Sequence, residues 1–362
     1  MRIAQIELKN FRCFPAATFD LDNKIILIQG KNGSGKSSLL EALHYLCYLR
    51  SFRTTTTRDL IKFGQGGFFV KAKFHEETQS PAHQLQVGFA DKKRLVKLNQ
   101  KTIGTFKELM HHYRVVTLTE DDLALIKAGP DIRRQFLDRA LLLQDQEYAI
   151  QVRTFRKILE NRNTLLQQRS CSQESCMLWT KQLWEHSAKL QKRRIKLMHQ
   201  LEKKVNQILK KTFAEKLKVS LSYRAKNCDP DASYEQFEQA YNEKSLFFEE
   251  CRYSRSLFGA HLDDLIITFQ DKRTRQYASR GQQKLVVLLF KVAQLSILDS
   301  QKEPSVLLLD DFMSDFDQQR IERLTRFLAE LPNQIIFTSP AEGGFFDDLV
   351  LSLGAKQVCL TT

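Results

Sequence analysis

The sequence predicts an α/β fold: one sheet-bearing lobe built from both ends of the chain, with a mainly helical second lobe inserted between them. Three observations predict it. Runs that are apolar at every position, suited to strands buried on both faces, stand at Ile25-Ile26-Leu27-Ile28, Val306-Leu307-Leu308-Leu309 and Ile335-Ile336-Phe337. Period-two alternation marks residues 67–103. Helical spacing of apolar residues runs from Ile132 to about Lys218.

Residues 1–30 read as strands, with Ile3, Ile6 and Leu8 apolar among polar neighbours and the second run closing at Gly30. Leu39, Leu43 and Leu46 then recur at helical spacing, which sets a helix against the sheet. In the alternating region, Phe69, Val70, Ala72 and Phe74, then Leu85, Val87 and Phe89, then Leu95, Val96 and Leu98 suit an antiparallel meander with a turn at Asn99-Gln100-Lys101. Within the helical stretch, Leu190, Leu197, Leu201, Val205 and Ile208 form an apolar stripe. Lys192, Arg193, Arg194, Lys196, Lys203, Lys204, Lys210 and Lys211 lie between them. The polar run Gln167–Ser175, with Ser170, turns one long helix back into the next. Trp179 and Trp184 are read as core residues of this insert. Strands resume at Leu265–Phe269, a helix at Gln282 to about Leu298, and strands again at 306–309 and 334–337. Three segments follow: 1–115 and 256–362 as the two parts of the sheet-bearing lobe, and 116–255 as the helical insert.

The chain has 362 residues, enough for two lobes. Its 56 Lys and Arg outnumber 42 Asp and Glu, for a net charge of +14. That balance favours polyanions, with nucleic acid the first candidate and an anionic membrane surface the second. No apolar stretch approaches the ~20 residues of a membrane span, and the N-terminus shows no secretory pattern. The seven cysteines are odd in number and scattered, with no Cys-x-x-Cys, so the expectation is reduced thiols in a cytoplasmic protein.

Gly30-Lys31-Asn32-Gly33-Ser34-Gly35-Lys36-Ser37 fits G-x-x-x-x-G-K-[ST], between an apolar strand and a helix. Glycines let such a loop wrap tightly with its N–H groups turned inward, and the helix adds its positive end. Lys36 is expected at the β and γ phosphates of ATP, and Ser37 on Mg²⁺. A second element, Val306–Leu309 followed by Asp310-Asp311, delivers acids to the carboxyl edge of the sheet. Asp310 would hold the Mg²⁺ shell and Asp311 would orient or deprotonate water.

Roughly 270 residues separate these two elements. Shortly before the second stands Ser279-Arg280-Gly281-Gln282-Gln283-Lys284, leading an apolar helix. Ser279, Gly281 and Gln282 would form another anion-binding nest. In ABC ATPases two such nests meet across a dimer on one nucleotide, and Ser314-Asp315-Phe316-Asp317 resembles their D-loop. The pattern resembles a P-loop ABC-type ATPase head, of the SMC/Rad50-like kind that the family resemblance below implies, with an ATP site expected to be completed by a second copy of the chain.

The chain resembles the RecF family along essentially its whole length. The resemblance rests on Leu8-Lys9-Asn10-Phe11-Arg12, the P-loop continuing into Leu39-Leu40-Glu41-Ala42, and Arg50-Ser51-Phe52-Arg53-Thr54 with Asp59-Leu60-Ile61. It continues in Glu120-Asp121-Asp122-Leu123, Gly129-Pro130, Arg133-Arg134, Phe136-Leu137-Asp138, the Ser279 segment and Leu307–Asp311. Gly259-Ala260-His261-Leu262 departs from the family's Gly-Pro-His-Arg, and Arg280 stands where Gln is usual. Thr338-Ser339 takes the place of the transporter switch histidine. The resemblance implies ATP-dependent dimerisation on single- or double-stranded DNA and gap junctions, weak DNA-stimulated ATP hydrolysis, and work with RecR, RecO and RecA in recombinational repair and the SOS response.

For DNA contact the candidates are the Lys and Arg residues of the insert together with Arg133 and Arg134, and no base-reading motif is visible, which predicts sequence-independent, salt-sensitive binding. Arg50 and Arg53 are expected near the nucleotide and His261 in a structural role. The alternative readings are the ATPase subunit of a transporter, or of an SMC-like or nuclease complex. The helical insert, the Asp-Asp ending and the missing switch histidine weigh against a transporter, the shortness of the insert against an SMC-like protein, and the lack of a metal-binding carboxylate cluster beyond the ATP site against a nuclease.

Overall fold

The computed structural model describes residues 1–76, 79–103, 109, 113–168, 171–213, 217–299, 305–340 and 344–360. In chain order the strands are β1 (Arg2–Phe11), β2 (Phe14–Asp20), β3 (Ile25–Gly30), β4 (Gly67–Glu76), β5 (Gln79–Ala90), β6 (Lys93–Leu98), β7 (Lys101–Thr102) and β8 (Val115–Leu118). They continue with β9 (Val219–Arg224), β10 (Asp264–Phe269), β11 (Lys272–Arg273), β12 (Val306–Leu309), β13 (Ile335–Ser339) and β14 (Lys356–Leu360). The chain divides into two compact units. The first comprises Met1–Leu123, Lys210–Ala214 and Arg280–Thr362, and the second Ala124–Leu209 and Glu215–Ser279.

The first unit contains two sheets. The parallel one has the order β14-β3-β13-β12-β8, and the antiparallel one β2-β1-β4-β5-β6-β7. Every residue of β3, β8, β12 and β13 is buried, as continuous apolar runs covered on both faces require. The antiparallel strands instead alternate. Ile6, Leu8, Val70, Ala72, Leu85 and Val87 enter the core with Leu39, Leu43 and Leu46 of the helix Lys36–Tyr48. Asn99 and Gln100 both have positive φ, as a two-residue hairpin between β6 and β7 demands. The buried Gln334 side chain joins the sheets: it accepts from the Ile3 amide at 2.7 Å and donates to the carbonyls of Ile3, Leu21 and Asn23. The helix Arg280–Asp299 is apolar nearly all round, and residues 283–290 are all buried.

The boundaries differ from the expected 1–115, 116–255 and 256–362. Residues 116–123 fall in the first unit because β8 pairs in parallel with β12. Residues 256–279 fall in the second because β10 pairs antiparallel with β9.

The second unit is helical around a small antiparallel sheet of order β11-β10-β9. Its helices include Pro130–Gln144, Gln146–Leu166, Tyr234–Glu243, Leu246–Tyr253 and most of Gln173–Thr212. The helical pattern expected to Lys218 ends at Thr212, and β9 follows, its Val219 and Leu221 inward-facing. Ser170 lies outside the described residues. Three buried arginines organise the interior. Arg162 meets Glu250, Tyr241, Ser256 and Thr180, with the Phe258 ring 4.9 Å from its guanidinium. Arg194 forks onto Asp138 at 2.8 and 2.9 Å and donates to the Ala260 carbonyl. Arg133 forks onto Asp264 and donates to the Ala128 carbonyl.

These contacts correct part of the sequence reading. Arg133 and Arg194 are consumed inside the fold, Arg134 bonds the Asp263 carbonyl and Asp131, and Arg193 bonds Asp145 and Gln151. None of the four is a free cation for DNA, whereas Lys192, Lys196, Lys203 and Lys204 are exposed. Trp179 and Trp184 are half-buried rather than core, with Trp184 against Tyr234 and Phe237.

Candidate nucleotide site

The loop between β3 and the helix Lys36–Tyr48 is shaped by its glycines. A Cβ on Gly30 would stand 2.4 Å from Ser34 Oγ and 3.0 Å from the Leu360 carbonyl oxygen. Gly35, at φ +103°, leads into the helix, and a Cβ there would lie 2.7 Å from both Cys13 Sγ and the Phe14 ring. Only glycine fits either position. The helix that begins at Lys36 has no side-chain cap and no acid in its first turn, so its positive end is left open. Lys31, Asn32 and Gly33 form the exposed crest.

Lys36 Nζ curls back over this loop and donates to the Gly30 carbonyl at 2.6 Å and the Lys31 carbonyl at 3.2 Å. Ser37 Oγ donates to Asp310 Oδ1 at 3.0 Å, and Thr338 Oγ1 donates to the same oxygen at 2.9 Å. The Asp311 amide in turn donates to Thr338 Oγ1 at 2.8 Å. Asp311 has φ +44°, a left-handed conformation that aspartate tolerates, and its side chain is exposed. Partial desolvation and the Asp310 charge raise its pKa above the ordinary carboxylate range, and Lys36 and Lys284 oppose the rise.

The residues fit a magnesium nucleotide. The buried Ser34 Oγ has no hydrogen-bond partner among the described residues and faces the Gly30 Cα, inside the loop. A hydroxyl and a carboxylate held together, as Ser37 and Asp310 are, form the oxygen donor set that a hard cation takes.

The Ser279 segment has a different setting. Ser279 is exposed directly before the helix Arg280–Asp299, Gly281 and Gln282 are half-buried, and the division between the two units falls between Ser279 and Arg280. A Cβ on Gly281 would come no closer than 3.5 Å to its neighbours, so space alone does not require glycine there. Arg280 reaches Asp315 at 3.0 Å and Glu120 at 2.6 Å. The buried Lys284 bridges the same two acids at 2.5 and 2.8 Å, its ammonium 5.0 Å from the centre of the Phe312 ring.

The structure thus brings Lys36, Ser37, Asp310 and Asp311 together within one unit. The sequence motifs include Glu41, Glu120, Asp315 and Lys284, but their side-chain partners were not foreseen. Glu41 is fully buried and accepts from Arg12 Nε and Nη2 at 2.8 and 2.7 Å and from Ser51 Oγ. It pins the Arg50–Thr54 segment against the first helix, with Arg53 Nη1 3.7 Å away. The signal was present: an acid inside Leu39-Leu40-Glu41-Ala42-Leu43 cannot be buried without a cationic partner.

A model of the RecF/RecN/SMC N-terminal domain matches residues 2–348. A protein from Chloroherpeton thalassium, described as DNA replication and repair protein RecF, is 30% identical over 91% of this chain and 92% of its own length. The chain belongs to the RecF family. A second RecF, from Lactobacillus johnsonii, is also 30% identical, over 95% of this chain and 94% of its own. A solved structure described as the recombination mediator protein RecF-ATPrS in the RecFOR pathway superposes with a TM-score of 0.80 at 25% identity. It covers 94% of this chain and 93% of that one. A Smc head domain from Pyrococcus furiosus shares the fold, with a TM-score of 0.58 at 16% identity, over 99% of this chain and 93% of that one. The chain thus shares its fold with RecF and the SMC head: a parallel sheet carrying the P-loop, interrupted in sequence by a helical unit. No helix among the described residues is long and apolar enough to cross a membrane.

Proposed function

We propose that this RecF-family chain is a DNA-repair ATPase that uses ATP as a clamp between two copies of itself. The loop Gly30–Ser37 holds the triphosphate, with Lys36 released from the Gly30 and Lys31 carbonyls to meet it. Ser37 and Asp310 hold Mg²⁺. Bound Mg-ATP supplies the γ-phosphate that a second copy can recognise. Ser279, Gly281 and Gln282 of that copy stand at the start of the helix Arg280–Asp299, whose first turn holds no acid. Asp311, carrying a raised pKa, orients the attacking water, and its short side chain suits slow, DNA-stimulated hydrolysis. DNA is held without regard to sequence by exposed lysines. RecR is the expected protein partner, with RecO and RecA in the same pathway.

The observation that supports this reading is the hydrogen bond from Ser37 to Asp310, which sets two motifs 273 positions apart side by side. Sedimentation velocity with and without ATP and DNA tests it, on wild type, Lys36→Ala and Ser279→Arg. Lys36→Ala is expected to lose ATP binding and to stay monomeric. Ser279→Arg is expected to bind ATP and remain monomeric. Normal ATP-dependent dimerisation of Ser279→Arg would remove the shared pocket from the account.

A further inference from the structure

We infer that the outward face of the antiparallel sheet is a docking surface for single-stranded nucleic acid. The inference rests on the DNA association proposed above and says where and how a strand is held. Strand register decides which residues share this face. Lys9 lies opposite Phe69, Phe69 opposite Gly88, and Gly88 opposite Leu95. One row along, Glu7, Lys71, Gln86 and Lys97 face one another in turn. The next row sets Gln5 against Lys73 and Lys73 against Gln84. The intervening residues, among them Leu8, Val70, Val87 and Val96, are buried on the other side.

The face is basic and lightly neutralised. Lys71 is paired with Glu7 at 3.0 Å. Lys9, Lys73, Lys93 and Lys97 form no ion pair among the described residues, and the first three are exposed. At one end the sheet carries an apolar groove of about 610 Å³, lined in part by Lys9, Phe69, Gly88, Lys93 and Leu95. Gly88 leaves the floor as bare backbone, and a Cβ there would meet nothing within 4 Å. Leu95 is 50% exposed. Phe63 is 100% exposed, on the turn where the Lys62 amide bonds the carbonyl of Asn10, itself part of the groove wall.

Cations interleaved with apolar and aromatic groups on a sheet match a single strand, whose phosphates take the ammonium groups while its bases stack on rings. A duplex offers its phosphates but keeps its base faces inside the stack, so Phe63, Phe69 and Leu95 would gain nothing from it. An acidic peptide would satisfy the lysines and leave the rings without a planar partner.

Fluorescence anisotropy of the full chain tests the inference, with labelled oligo(dT) and a duplex of equal length across a salt series. The variants are Phe63→Ala and the pair Lys9→Glu with Lys97→Glu, all at side chains outside the core. Phe63→Ala is expected to weaken oligo(dT) binding roughly five-fold or more, with little change for duplex. The double charge reversal is expected to weaken oligo(dT) about ten-fold or more and to reduce the salt slope by about 1.4. Oligo(dT) binding unchanged in all variants would overturn the docking face while leaving DNA association intact. A charge effect equal for both probes, with Phe63→Ala neutral, would overturn the single-strand assignment. Wild-type protein that binds neither probe would sink the DNA association and this inference together.

Discussion

The Ser37 hydroxyl donates to the Asp310 carboxylate at 3.0 Å across 273 positions of sequence. The bond ties the first turn of the P-loop helix to the end of β12, and Thr338 supports it from β13. If the pair is the Mg²⁺ seat, Ser37→Ala and Asp310→Asn should each lower ATP affinity about ten-fold or more in Mg²⁺. In EDTA, Ser37→Ala should bind ATP as wild type does. The double variant should lose little beyond either single one, since groups serving one ion are not additive. Calorimetric titration of ATP with and without Mg²⁺ measures all of these.

Glu41 is a buried anion satisfied by Arg12 and Ser51. Glu41→Ala leaves Arg12 without its carboxylate and frees the Arg50–Thr54 segment. The expected loss is about 3 kcal/mol, which corresponds to a melting point lower by roughly 6–12 °C. Arg12→Lys should fall between wild type and this variant, because a lysine ammonium lacks the planar fork by which Nε and Nη2 meet both Glu41 oxygens. Scanning calorimetry distinguishes the three.

Arg162 and Glu250 are both fully buried in the second unit. Arg162→Met alone strands a buried carboxylate and should cost about 3–5 kcal/mol. Adding Glu250→Gln removes the stranded charge and should recover a good part of that loss. Urea unfolding followed by far-UV circular dichroism reads both. A double variant no more stable than the single one would mean that the charge was not the source of the loss.

His261 has its pKa pushed down to about 4, first by burial and then by Arg134, Arg162 and Arg194, with the Ser256 carbonyl opposing. Unfolded, the imidazole titrates near 6.5. Between these values the unfolded chain binds a proton that the folded one refuses. The His261 contribution is therefore complete above about pH 6.5, shrinks as the pH falls, and is lost by about pH 4, a total of up to about 3 kcal/mol. His261→Gln should flatten that part of the stability profile, measured by chemical denaturation at pH 4 to 7.

The P-loop and the buried parallel strands were legible because their chemistry is local. Ile25–Ile28 is apolar at each of four successive positions, with Gln29 and Gly30 closing the strand, and the G-x-x-x-x-G-K-[ST] spacing needs nothing else to be read. The partners of buried charges were not legible. Arg133 and Arg194 look identical in sequence to the exposed lysines around them, and only the fold sets Asp264 and Asp138 against them. Val219–Arg224 alternates as a strand should, yet it follows a 40-residue helix and pairs with β10, a partner some forty positions away. The expected lobe boundaries missed for the same reason: β8 and β10 are assigned by what they pair with, which periodicity does not reveal.

Strand β3, which delivers the P-loop, is flanked by β13 and β14. Both neighbours come from the C-terminal stretch, and the Leu360 carbonyl closes on Gly30 itself. During synthesis the ribosome must therefore release the chain as far as β14, about residue 360, before the phosphate cradle can take shape. The residues of the second unit emerge long before that and find their partners among themselves. Competence to hold a nucleotide is a late event in the life of each new molecule, and a prematurely terminated product would carry the intact motif without a working pocket.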